Sequence, residues 1–166
     1  MAEKEPEEVK KSKGTWQYEK IASILGKWAW VILLLDALIY IIIAIAGEIA
    51  IAQGVANFCA IWPPAMGPCP RIYTPSPTDI WYIVGAIITV IFAILIVRPR
   101  FSNKCAAKEW DDLIDDVLVV GGIRIPWMFI WSLIAAIFAQ GWGTFPILIP
   151  AILLIFVGPK PYEWKE

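Results

Sequence analysis

Two charged side chains lie inside apolar stretches of this chain, and they are the residues best placed to do chemistry. Asp36 lies about a third of the way into the apolar segment Trp28–Ile51, and Arg124 lies at a comparable depth in a later segment. A lone carboxylate at such a depth in a bilayer costs at least about 2.5 kcal/mol. We therefore predict a buried ion pair between Asp36 and Arg124, and favour a structural clamp as its role. Tyr40, one helical turn from Asp36, is a candidate hydrogen-bond donor to it. A proton or substrate relay is one alternative role for the pair, and a partner subunit's charge facing either residue is another.

The absence of histidine excludes most other chemistry. The 166 residues include no His and three Cys. The chain alone therefore cannot form a His-ligated haem, copper or zinc site, a four-Cys iron–sulfur site, or a His-dependent nucleophile. A net charge of −1 gives no reason to expect a nucleic-acid partner. We expect no catalytic, cofactor-binding or metal-ligating residues, no cofactor, and a protein that is not an enzyme.

The cysteines divide into a pair and a single thiol. Cys59 and Cys69 flank a compact stretch of the Pro-rich segment Gln53–Asp79, which the charge bias described below places outside the cell. A disulfide there would close a short loop in an oxidising space. Cys105 is expected on the cytoplasmic side as a free thiol. The sequence therefore predicts a Cys59–Cys69 disulfide.

Two helix faces are candidates for contact with another protein. Small residues recur near helical spacing in the first apolar segment, and such residues let helices approach closely. The chain also has ten Trp, which is more than two aromatic belts require. Aromatic side chains are favoured at protein interfaces. The predicted partner interface consists of Ala44, Gly47, Ala50, Trp127 and Trp131.

The distribution of Lys and Arg sets the predicted orientation. Nearly all basic residues lie before the first apolar segment, between the second and third, or after the fourth. This positive-inside pattern predicts a multi-pass protein of the cell membrane with both termini in the cytoplasm. The predicted spans are about 28–51, 80–97, 117–139 and 143–158, and residues 53–79 form a Pro-rich outer loop.

The fold class predicted from this pattern is an all-α membrane protein with four transmembrane helices, in a domain covering residues 27–159. The third span is ambiguous, since 125–139 alone is short and 117–139 encloses Gly121, Gly122 and Pro126 as a kink. The last two segments are short and Pro-kinked, and a re-entrant hairpin is the alternative to two spans. Residues 1–14 form a disordered charged tail and 160–166 a cytoplasmic tail. Residues 15–26 form an amphipathic interfacial helix, or a plain extension of the first span.

The leading hypothesis is a non-catalytic accessory or structural subunit of a larger integral-membrane complex. It would stabilise or help to assemble partners that carry cofactors, for example in an energy-converting or oxidoreductase complex. The expected partners are other integral-membrane subunits and lipids. The alternative is a small proton-coupled transporter or channel that acts as an oligomer through Asp36. A membrane-anchored scaffold that uses its cytoplasmic tails is a third hypothesis.

Overall fold

The structure is a computed structural model that describes residues 16–69 and 77–165. It is mostly helical, and two of its helical stretches are long and apolar enough to cross a membrane. The charged tail predicted at 1–14 lies outside the described residues.

The two long helical stretches run antiparallel. Helix α1 spans Glu19–Ala60, and a second stretch spans Pro77–Ala107. Gly26 of α1 packs against Cys105, whereas Gly47 lies beside Asp79 at the other end of the pair. The separate interfacial helix predicted at 15–26 is wrong, because α1 begins at Glu19 and continues without a break. The alternative, a plain helical extension, is what the structure shows.

The second long stretch continues past residue 97, where the second predicted span ends. Helix α2 (Pro77–Phe92) continues as a π-helical segment (Ala93–Ser102) and then as α3 (Asn103–Ala107). Pro99 cannot donate a backbone hydrogen bond, and the wider π-helical turns absorb that loss without breaking the helix. Arg98 lies over the Trp30 ring at 4.8 Å and so ties this segment to α1.

A β-hairpin replaces the first half of the predicted third span. After the short helix α4 (Trp110–Ile114), strand β1 (Val117–Val120) pairs antiparallel with β2 (Ile123–Pro126). Gly121 and Gly122 both have positive φ, as a two-residue hairpin turn requires. The prediction of an all-α fold with a helix over 117–139 is therefore wrong. β-branched residues on both sides of Gly-Gly form a hairpin here, and not a kinked helix.

Two short antiparallel helices complete the bundle. Helix α5 covers Trp127–Phe138, a 3₁₀ turn covers Trp142–Thr144, and α6 covers Phe145–Val157. Both helices pack against each other, and α6 also packs on α1. At 12 and 13 residues they are about 18 and 20 Å long, well below the ~30 Å of a bilayer core.

The core lies between the two long stretches and the α5–α6 pair. Its fully buried side chains include Leu33, Phe101, Met128, Ile147 and Leu154. The outward faces are apolar as well, and Leu35, Ile42, Ile91 and Leu95 are each more than half exposed. An apolar surface of this extent is unusual for a soluble monomer and is typical of membrane or protein contact.

The burial along α1 is uneven. All of its buried residues lie in the N-terminal segment (residues 19–47), and none lies in the C-terminal segment (residues 48–60). The C-terminal segment continues past the point where Gly47 meets Asp79, close to the first turn of α2. It therefore projects from the bundle, and no other described part of the chain covers it. We refer to residues 48–60 as the bare segment.

Candidate functional site: Asp36 and the α5–α6 turn

Asp36 is buried, with 5% of its surface exposed, and it faces the turn between α5 and α6. Its carboxylate lies against the backbone N–H groups of Trp142 and Gly143. Among the described residues, Oδ2 has no partner that meets the distance and angle limits of a hydrogen bond. Trp142 begins the helical stretch that becomes α6, and the first N–H groups of a helix have no partner within it. A carboxylate at this position therefore stabilises both the donors and the positive end of the helix dipole.

Tyr40 ties α1 to the same turn one helical turn further along. Its hydroxyl donates a hydrogen bond to the carbonyl oxygen of Gln140 at 2.7 Å. Gln140 adopts a left-handed backbone conformation, and its side-chain amide donates to the carbonyl oxygen of Trp81 on α2 at 3.3 Å. The turn is thus bonded to both long helical stretches. We refer to Asp36, Tyr40, Gln140, Gly141 and Gly143 as the turn site.

The glycines of the turn site permit this close approach. A Cβ atom at Gly143 would lie 2.8 Å from Cδ2 of Leu33 and 3.2 Å from Oδ2 of Asp36. A Cβ atom at Gly141 would lie 2.8 Å from the Tyr40 hydroxyl oxygen. Any larger residue would push the turn away from α1, so the sequence QGWGT is fitted to this packing.

The turn site has few means to carry out chemistry. The neighbours of Asp36 that the structure describes are backbone donors, glycines and Tyr40, and no second carboxylate is among them. A proton relay needs a chain of groups that exchange protons, whereas this arrangement holds one carboxylate against fixed dipoles. The geometry favours a structural clamp.

The structure does not bring Asp36 and Arg124 together. Among the described residues these two form no salt bridge. Asp36 meets the turn before α6, whereas Arg124 lies beside the segment after α6, where its carbonyl oxygen accepts a hydrogen bond from Tyr162 at 2.9 Å. The predicted pair placed Arg124 inside a spanning helix, and the hairpin removes it from that position. Asp36 faces the backbone N–H groups of the turn instead.

The predicted partner interface is largely used within the chain. Trp131 is buried and packs edge-on against Phe101, with ring centroids 6.3 Å apart. Ala44 is fully buried, and Trp127 is half-buried against the core. This corrects the prediction for Trp131 and Ala44, because internal packing takes up their surfaces, whereas the prediction for Trp127 stands. Gly47 is half-buried beside Asp79, and Ala50 is exposed.

Cys59 and Cys69 are joined by a disulfide, with 5.5 Å between their Cα atoms. The bond fastens the loop that contains the 3₁₀ turn Pro64–Met66 to the end of α1. Cys105 is a free, fully buried thiol. The two cysteines of the disulfide thus meet at the end of the bare segment.

A second polar cluster lies at the open end of the α5–α6 pair. Lys160 forms salt bridges with Asp115 at 3.1 Å and Asp111 at 3.7 Å. Tyr162 packs beside Arg124, and its pKa is raised by burial and by Asp115, although the Arg124 charge lowers it. Sequence reasoning missed this cluster. Its residues lie in three separate segments, which only the hairpin brings together.

The glycines and Gln140 of the turn site were also missed. The available signal was the sequence QGWGT between two apolar runs, since two glycines in a short turn often mark close backbone approach.

Comparison with known proteins does not assign a family. No family model matches the chain, and no curated protein or solved structure matches it.

Proposed function

We propose that this chain is a non-catalytic, multi-pass accessory subunit of a larger integral-membrane complex. The observation that supports this most strongly is the bare C-terminal segment of α1. Its only polar side chains are Glu48, Gln53 and Asn57, and its exposed residues include Ile49, Ile51 and Phe58. An apolar helix end of this kind is covered by lipid or by another protein. The length of α1, compared with the thickness of a bilayer, favours one of these two covers.

The apolar part of α1 is too long for a bilayer alone. From Trp28 to Ala60 it extends about 50 Å at the helical rise, against a hydrocarbon core of ~30 Å. Lipid could cover all of it only at a tilt above roughly 50°, and membrane helices rarely tilt beyond about 40°. Part of the helix must therefore leave the bilayer as an apolar surface. A partner subunit is the cover that removes this cost.

The bare segment has the surface that such a partner needs. A shallow groove of about 490 Å³ runs along it, lined by Ala52, Val55, Ala56, Cys59 and Ala60. Small side chains let a second helix approach closely, which is how membrane helices gain packing energy.

In this proposal α1 and the Pro77–Ala107 stretch cross the membrane, with both termini in the cytoplasm. The α5–α6 pair enters from the cytoplasmic side and returns to it as a helical hairpin. This arrangement is supported by the short lengths of α5 and α6. It is also supported by their turn, which contacts Asp36 and Tyr40. These residues lie about 12 and 18 Å along α1 from Trp28, near the middle of a ~30 Å hydrocarbon core. The turn is bonded to its neighbours, as backbone inside a bilayer must be.

The transporter alternative receives less support. A transport carboxylate must gain and lose its ligand, whereas Asp36 lies against the backbone of a turn that glycine packing holds in place. If Asp36 nevertheless carries protons, purified protein in liposomes will show a proton-linked flux that Asp36→Asn abolishes.

The proposal is tested by purification in mild detergent, with two matched variants. Ala56 lies in the groove, and Ala136 is exposed on α5, away from it. Wild type and Ala136→Leu should co-purify with other integral-membrane subunits in a fixed ratio, and Ala56→Leu should lose them while still inserting. A monodisperse chain without partners in all three preparations would refute the proposal.

A further inference from the structure

The cavity at the open end of the α5–α6 pair has the features of a ligand site. It has a volume of about 220 Å³ and is lined by Asp115, Arg124, Lys160, Tyr162 and Glu163, with Ile114 and Pro161 as apolar walls. Arg124 lies three residues before α5 begins at Trp127, and Lys160 lies three residues after α6 ends at Val157. The cavity therefore lies at the level where the apolar hairpin meets the polar surface.

The charges around the cavity are not all paired. Lys160 is held by Asp115 and Asp111, so its charge is balanced within the protein. Neither Arg124 nor Glu163 forms an ion pair with any other described residue. One cation and one carboxylate that line the cavity thus have no salt-bridge partner among the described residues. A ligand with a negative and a positive group would satisfy both.

The surface around the cavity is apolar on both faces of the β-hairpin. Val119, which lies opposite Arg124 in the strand register, is exposed, and so are Leu118, Val120 and Ile123 on the other face. Exposed β-branched side chains next to a charged cavity match a molecule with a polar head and a hydrocarbon tail. A soluble phosphate ester would gain nothing from them.

We infer that this cavity binds a phospholipid whose headgroup carries both a phosphate and a primary ammonium, as in phosphoethanolamine. The Arg124 guanidinium donates paired hydrogen bonds to the phosphate, the geometry that arginine provides best. The ammonium donates to Glu163, and the acyl chains lie along the hairpin. This site is independent of the proposed partner surface, because the bare segment lies at the opposite end of α1.

The test is a lipid titration of the purified full-length chain in mild detergent, with bound lipid counted by native mass spectrometry. The probes are phosphatidylethanolamine, phosphatidylcholine and phosphatidylglycerol with identical acyl chains, and inorganic phosphate. Phosphatidylethanolamine should bind about tenfold more tightly than the other lipids, since one charged hydrogen bond is worth about that factor. Inorganic phosphate should not compete.

Three variants locate the site. Arg124→Gln should weaken phosphatidylethanolamine binding about tenfold. Glu163→Gln should remove the preference over phosphatidylcholine, whose quaternary ammonium has no N–H. Arg100→Gln is the matched control, since Arg100 is exposed and does not line the cavity. Circular dichroism checks that each variant is folded. If Arg124→Gln proves unstable, Glu163→Gln still tests the site, because it changes only an exposed side chain.

Several results would overturn the inference. Equal or tighter binding of phosphatidylglycerol would show that the site takes a net anion. Competition by inorganic phosphate would show a soluble ligand. An equal loss in Arg100→Gln and Arg124→Gln would show general surface attraction, and a preference that survives Glu163→Gln would remove the ammonium contact. The partner proposal would stand in each of these cases.

Discussion

The two segments of α1 have similar compositions and opposite surroundings. The N-terminal segment buries Ala22, Ala29, Leu33, Ala37 and Ala44 against the rest of the bundle. The C-terminal segment is equally rich in Ala and Ile and buries nothing. Composition alone therefore does not tell which part of an apolar helix packs inside its own chain. The contrast places the internal stability of the protein in one segment and its proposed partner contact in the other.

The largest loss of stability is expected from a bulky side chain placed where the turn between α5 and α6 contacts the N-terminal segment of α1 (residues 19–47), called the packed segment below. Gly143→Leu would place atoms where Leu33 and Ala139 already lie, so the free energy of unfolding should fall by about 3 kcal/mol. Gly54→Leu is the matched change in the bare segment, where nothing lies within 4 Å of the added Cβ. Thermal melting of the isolated chain in detergent should fall for Gly143→Leu and remain equal or rise for Gly54→Leu. Equal losses would show that the two segments do not differ.

A smaller effect is expected at Asp36. Asp36→Asn removes the charge that faces the backbone donors of the turn, and should lower the free energy of unfolding by about 1–3 kcal/mol. Arg124→Gln should add independently, within about 0.5 kcal/mol, because the two residues are not in contact. Unfolding titrations of the single and double variants measure this. If the double variant is more stable than the sum of the two single losses allows, the two residues are coupled, and the ion pair predicted from the sequence would be supported.

The failure of that ion pair shows what apolar patterning leaves undecided. The two long helices could be anticipated, because length and hydropathy specify a spanning helix almost by themselves. The disulfide could be anticipated too, because Cys59 and Cys69 enclose a short Pro-rich stretch. Residues 117–126 could not be assigned by hydropathy, since an apolar strand pair and an apolar helix have the same mean value. The Gly121-Gly122 turn was the local signal, and it was interpreted as a kink.

The turn site could not be predicted from the sequence for a different reason. The sequence indicated that Asp36 is a buried carboxylate, and the structure buries it. The groups that face it are backbone N–H groups, which carry no residue-type signal. A search for an opposite charge in the sequence therefore led to Arg124. The glycines at 141 and 143 mark the contact only once the packing is known.

The smallest expected effect is at Tyr40. Tyr40→Phe removes the hydrogen bond to the Gln140 carbonyl oxygen and should cost about 1 kcal/mol. Because the turn belongs to the packed segment's contacts, the change should lower the melting temperature of the isolated chain and leave partner binding intact. If the partner is lost while the melting temperature of the isolated chain is unchanged, the turn lies at the partner surface. The two segments of α1 would then not divide internal packing from partner contact.

The most direct test of the central claim is photo-crosslinking in native membranes. A photoreactive residue is placed at Ala56 in the bare segment or, as the control, at Leu95, which is 66% exposed on the second long stretch. We expect Ala56 to give an adduct of defined mass with one other membrane protein, and Leu95 to give mainly lipid adducts. Lipid adducts alone at both positions would contradict the account, since they would show that the bilayer covers the whole of α1.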